Sequence, residues 1–180
     1  MNILILWGIK AYGSQNWKLA YKRLKPISDS GYPHAQYLLA SMYFNGWGVA
    51  RNDKEMVRLY RLSAEAGLPM AQFLYGGLHM VGKRGVAKNM VVAERYIRRA
   101  AEKGVLEAMY HIARFYKKGT VYAVNYVNSC AWYEAAATLG YSDASGKCKK
   151  LIIEKKLTKA QVLTAIEIAK KKVAAIIKNR

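Results

Sequence analysis

Four glycines punctuate this chain at nearly even intervals. Gly31, Gly67, Gly104 and Gly140 stand 36, 37 and 36 residues apart, following Ser-Asp-Ser, Ala-Glu-Ala, Ala-Glu-Lys and Ala-Thr-Leu. A period near 36 is that of a two-helix repeat. Such a unit cannot bury its apolar face alone and must stack on its neighbours.

The repeats align position by position. An Ala follows each Gly by four residues, at Ala35, Ala71, Ala108 and Ala144. In the first three, an aromatic stands two positions later: Tyr37, Phe73 and Tyr110. A large–small pair comes next, Leu39-Ala40, Tyr75-Gly76 and Ile112-Ala113, and then Tyr43, His79 or Tyr116. Gly46, Gly82 and Gly119 close the helix, and two repeats continue to Gly48-Val49 and Gly85-Val86. A second helix follows in each, with Leu59-Tyr60 before Ala64, Tyr96-Ile97 before Ala100, and Trp132-Tyr133 before Ala136. The marker Ala, the large–small pair and the following Tyr share one helical face, and the small residues let a partner helix approach. Asp53 and Asn89 are expected as N-caps of second helices, with Asn125 or Asn128 in the third repeat.

The combined pattern is Ala-x-x-x-Leu-Ala-x-x-Tyr-x-x-Gly-x-Gly-Val, then Asp, then a helix ending Ala-x-x-Gly. It resembles the Sel1-like repeat, a relative of the tetratricopeptide repeat. The resemblance implies an all-α fold: a right-handed α/α superhelical solenoid with a C-terminal capping helix. It implies one repeat domain over 1–180, with units at about 2–31, 32–67, 68–104 and 105–140, a partial unit at 141–156 and a last helix at 158–178. The third repeat departs from the pattern, reading Gly119-Thr-Val-Tyr-Ala-Val-Asn125 without the second Gly and Val. His79 replaces the usual Tyr, and Met56 and Ser129 stand where Ala93 supplies the small residue.

By analogy with the tetratricopeptide arrangement, first helices line a concave surface. The resemblance then assigns Tyr37, Phe44, Asn45, Phe73, Met80, Tyr110, Arg114, Lys117 and Lys118 to a partner segment. This groove runs from polar-aromatic through apolar to basic, and suits an extended peptide or helix with an apolar centre and an acidic end. For Tyr37, Phe73 and Tyr110, packing between repeats is the competing role.

Charge points the same way. Thirty Lys and Arg face eleven Asp and Glu, a net +19, which calls for an anionic partner. From Lys147 to Arg180 there are eleven basic residues against Glu154 and Glu167. Arg95, Arg98 and Arg99 cluster on one second-helix face, and Lys170, Lys171 and Lys172 on the last helix; these six are the candidate anion contacts. The last helix is amphipathic through Val162, Ala165, Ile166, Ile168, Ala169, Val173, Ile176 and Ile177. It is expected to dock that face as a cap and leave its lysines in water. It lacks a Trp or Phe anchor, which weakens a membrane-surface role. Nucleic acid is expected to bind only non-specifically, because no recognition motif is present.

Catalytic chemistry is not readable. His34, His79 and His111 fall at different repeat offsets, with His79 and His111 at packing positions, and no nucleophile–base arrangement appears. Gly82-Lys-Arg-Gly85 is a basic turn without the neighbours of a phosphate loop. No cofactor or metal site is expected. Cys130 and Cys148 can form at most one bridge, and a reduced pair is the expected state. No apolar run approaches the roughly 20 residues of a membrane span. The chain is expected to be cytoplasmic as written, or periplasmic or secreted if Met1 was added to a mature chain. The expected function is a non-enzymatic scaffold or adaptor. The alternative is a cell-envelope component that binds anionic polymer, peptidoglycan or lipid, including a flagellar or secretion-associated role.

Overall fold

The computed structural model describes residues 3 to 179, and every regular element among them is an α-helix. The chain divides into two compact units, Met1–Asn89 and Met90–Arg180. The first holds α1 (Ile3–Gly13), α2 (Trp17–Asp29), α3 (Pro33–Asn45), α4 (Asp53–Glu65) and α5 (Pro69–Val81). The second holds α6 (Met90–Glu102), α7 (Leu106–Lys118), α8 (Tyr126–Thr138), α9 (Ser142–Glu154) and α10 (Lys159–Lys178).

In the first unit each helix packs on the next, α1 on α2 through α4 on α5. Pro33 and Pro69 open α3 and α5, where the missing N–H costs nothing and the fixed φ suits the first turn. The core is built from the repeat positions: Ala35, Leu39, Ala40, Met42, Met56 and Leu59 are buried. Burying a side chain such as Leu39 contributes about 1.5–3 kcal/mol. The cap of α4 is Asn52, not the expected Asp53: its side chain accepts from the Glu55 N–H at 3.0 Å. Asp53 falls one residue inside the helix, which frees its carboxylate for the Arg84 guanidinium at 2.7 Å.

In the second unit α6 packs on α7, α7 on α8 and α8 on α9, and α10 lies against α8 and α6. Asn125 caps α8 by accepting from the Asn128 N–H at 2.9 Å. Ser129, where the repeat favours Ala, is buried and donates its hydroxyl to the Ala113 carbonyl at 2.8 Å. The expectation of a reduced cysteine pair is corrected. Cys130 on α8 and Cys148 on α9 are both buried, their Cα atoms are 4.8 Å apart, and the two are joined as a disulfide. Helix packing brings the residues within bridging distance, which their spacing in the sequence did not reveal.

Helix α10 starts at a capping box in which Thr158 and Gln161 each accept from the other's backbone N–H. Its apolar residues do not share one face. Ala165, Ala169 and Ile176 are buried in the docked side, whereas Leu163, Ile166 and Ile177 are exposed.

Candidate functional site

Helix α3 carries the first group of expected partner-binding residues. Tyr37 is half-buried, its ring 6.1 Å from that of Tyr60, and burial raises its hydroxyl pKa above the ordinary value. Burial pushes Tyr60 up to about 12, and its hydroxyl lies 3.0 Å from that of Ser41. Phe44 and Asn45 stand at the exposed end of α3. The Asn45 side chain donates to the Ser41 carbonyl at 2.9 Å, and the Arg84 guanidinium sits 4.4 Å over the Phe44 ring. The basic turn noted at Lys83 and Arg84 therefore meets an anion of its own chain, Asp53. Desolvation is the largest single effect on Asp53 and raises its pKa, but the hydrogen bonds and charges of Arg84 and Arg51 together outweigh it and hold the carboxyl below its usual range. On α5, Phe73 and Met80 are both half-buried. His79 puts Nδ1 3.2 Å from the Ala87 carbonyl and its ring edge-on to Tyr75, so it ties down the loop after α5.

Helix α7 carries the basic group. Tyr110 is half-buried against Tyr133 and Tyr141, with ring centroids 5.2 and 5.4 Å away, and burial pushes the Tyr133 hydroxyl up to about 12. Arg114 and Lys118 are exposed and Lys117 is half-buried. None of the ion pairs among the described residues involves these three cations. Burial, and then the Arg114 charge, lowers the His111 pKa.

The expected anion contacts on α6 divide. Arg95 and Arg99 are exposed, with guanidinium groups 5.3 and 5.7 Å from the Tyr96 ring. Arg98 turns inward, pairs with Glu94, and donates to the Tyr122 hydroxyl at 2.7 Å and the Tyr116 hydroxyl at 3.3 Å. Tyr122 stacks on Tyr116 with ring centroids 4.6 Å apart, so this network holds the loop that lacks the second glycine. On α10, Lys170 and Lys171 are exposed. Lys172 lies 3.9 Å over the buried Trp132 ring, and burial, then Arg98, lowers its pKa. Trp132, Lys172, Lys171 and Glu102 border an apolar hollow of about 480 Å³.

Among the described residues no three His, Cys, Asp or Glu side chains gather as a metal site would require. No helix among them is long and apolar enough to cross a membrane.

Comparison with known proteins matches the family model for the Sel1 repeat at residues 33–68, 69–105 and 106–141. The sequence is 26% identical over 164 residues to an exopolysaccharide production negative regulator of Rhizobium meliloti, covering 84% of this chain and 61% of the relative. It is 31% identical over 97 residues to an uncharacterized protein of Neisseria meningitidis serogroup B, covering 54% of this chain and 20% of the relative. The chain thus spans less than two thirds of the length of these relatives. The fold is similar to a crystal structure of a Sel1 repeat protein from Oxalobacter formigenes, at 38% identity and a TM-score of 0.66, covering 71% of this chain and 95% of that one. It also resembles a protective antigen of uropathogenic Escherichia coli with an SLR fold, at 24% identity and a TM-score of 0.57, covering 89% of this chain and 43% of that one.

Proposed function

The chain belongs to the Sel1 repeat family, whose members generally serve as protein-interaction scaffolds, and from that premise we propose that it is a non-enzymatic adaptor. It takes partner segments on its first helices, in the first unit through Tyr37, Phe44 and Asn45 on α3 and Phe73 and Met80 on α5, and in the second through Tyr110, Arg114, Lys117 and Lys118 on α7. The observation that carries this reading is the α7 group, where three cations without carboxylate partners stand beside a half-buried tyrosine. Such a patch favours a segment that pairs an apolar or aromatic side chain with acidic residues. The test is affinity capture with the wild-type chain and a Tyr110→Ala, Lys117→Glu double variant. Loss of a partner from the variant, with weaker wild-type capture at high salt, is the expected result. A variant that retains every wild-type partner would overturn the reading.

A second reading rests on the likeness to the Rhizobium regulator of exopolysaccharide production and on the basic residues after Lys147. Here exposed lysines such as Lys147, Lys149 and Lys171, with Arg95 and Arg99, contact an anionic polymer, peptidoglycan or lipid of the cell envelope. Its measure is retention on these materials at low salt. The reading fails if changing the three lysines to Glu leaves retention unchanged.

A further inference from the structure

Helix α10 has two apolar stripes, and the fold uses one. Ala165, Ala169 and Ile176 are buried on the docked side, with Lys172 above Trp132. A second stripe runs along a different face: Leu163, Ile166, Lys170, Val173 and Ile177, spaced by four or three residues in alternation. That alternation is the seam spacing of a helix made to pack along another helix. Leu163 is 56% exposed, Ile166 37% and Ile177 59%, so the docking of this helix leaves all three in solvent. The stripe borders a groove of about 390 Å³ whose opposite wall is Glu134 and Thr138 of α8.

We propose that this α10 seam docks an amphipathic helix of another protein, one with a carboxylate at the seam position facing Lys170. Three observations select that occupant. Lys170 is the midpoint of the stripe, so a second copy lying antiparallel about that midpoint would set Lys170 against Lys170, and each chain carries +19. Like charges at a packed seam are a strong bar to self-pairing. A membrane-surface helix keeps its lysines on the polar face, whereas Lys170 interrupts the apolar stripe itself. An acidic partner residue meets a lysine that appears in none of the ion pairs among the described residues, on a helix whose one acidic residue is Glu167. Glu134 on the far wall then favours a basic or amide side chain on the flank of the partner helix that faces α8, which sets its orientation. This surface shares no residue with the first-helix positions proposed above, and the inference stands whether or not those are used.

The experiment uses the full chain and two synthetic helical peptides of about five turns. Both carry Leu and Ile at the seam positions and differ only at the central one, Glu in the first and Lys in the second. Fluorescence anisotropy should show the Glu peptide binding about tenfold more tightly or better. Lys170→Glu should invert that preference. Leu163→Asp and Ile177→Asp, both at exposed positions and expected to leave the circular dichroism spectrum unchanged, should each weaken binding at least about tenfold. The Tyr110→Ala, Lys117→Glu variant should bind the Glu peptide as wild type does, which separates this seam from the adaptor reading. Equal binding of the two peptides, or loss of binding only in the Tyr110 variant, would overturn the proposal. So would a dimer in sedimentation that Ile177→Asp abolishes, since that makes a second copy the occupant. Flotation on phosphatidylcholine–phosphatidylserine vesicles that depends on Leu163 and Ile177 would likewise overturn it in favour of a membrane surface.

Discussion

Between α3 and α4 the chain turns on Gly46 and Gly48, and between α7 and α8 it turns on Gly119 with Tyr122 in the remainder of the loop. The first joint is built from backbone. Gly48 has φ +68°, and a Cβ there would stand 2.5 Å from the carbonyl carbon and oxygen of Trp17. Trp17 in turn stacks on Trp47 with ring centroids 4.5 Å apart, so the loop and the start of α2 are pressed together. The second joint is built from side chains. Tyr122 stacks on Tyr116, and Arg98 holds its hydroxyl. One loop geometry can thus be specified by a missing Cβ or by a hydrogen-bonded aromatic clasp. The first should fail on any added atom and the second on loss of one polar group.

Gly48→Ala is expected to have the largest effect. It adds the cost of a positive φ, about 1–2 kcal/mol, to that of overpacking against backbone that cannot give way, about 1–3 kcal/mol. Gly119→Ala bears a similar conformational cost at φ +66°, but its Cβ meets a Val124 methyl at 2.9 Å, which can rotate aside. Urea denaturation should therefore rank Gly48→Ala well above Gly119→Ala. Equal losses would break the contrast between the two joints. Next comes the disulfide, which belongs to the second unit alone. The bridge spans 18 residues of chain, and its removal by Cys148→Ser is expected to cost about 3 kcal/mol through the entropy returned to the unfolded chain. Hydrogen exchange should place that loss in α8 and α9, and a change confined to the first unit would refute it.

The period of 36 and its small residues were enough to read the helix pairs, because the pattern records packing within each pair. Features that depend on contacts outside the pair were not legible. The cap fell on Asn52 instead of Asp53, since the repeat pattern alone does not exclude that Asp53 is drawn off by Arg84, 31 residues away. Arg98 reads as one of three surface cations until Tyr122, 24 residues on, is seen to bind it. The apolar residues of α10 read as one docking face, because helical periodicity does not reveal which side a neighbour covers. The candidate partner site was legible only as positions. Exposed Arg114 and Lys118 stand where the repeat offset puts them, but the half-burial of Tyr37 and Tyr110 against Tyr60 and Tyr133 depends on second helices.

Tyr122→Phe tests the clasp at the next level of effect. It removes the acceptor of a 2.7 Å hydrogen bond from a largely enclosed guanidinium, and about 1.5 kcal/mol is expected from a bond to a charged group. Arg84→Ala removes an ion pair and the contact with Phe44 in the first unit, and should cost less than Tyr122→Phe because its partners Asp53 and Phe44 both reach solvent. The reverse order would mean that the glycine-built joint also depends on its side chains.

The smallest effect is a difference in acid response. Burial, and then Arg114, holds the His111 pKa below its ordinary 6.5. In that window the unfolded chain binds the proton more readily than the folded one, so this contribution to stability is present above about 6.5 and falls as pH drops toward the folded value. Asp53 is shifted in the same direction from a lower ordinary value: burial raises its carboxyl, but the hydrogen bonds and charges of Arg84 and Arg51 outweigh that and hold it below 3.8. Its contribution is present above that value and is lost only as pH falls through the lower, folded one. Hydrogen exchange at mildly acid pH should therefore show weakening around α7 before any around the start of α4. His111→Gln should abolish the change near α7, since glutamine takes no proton in this range. A pH profile of α7 unaltered by that substitution would assign the acid sensitivity to another group.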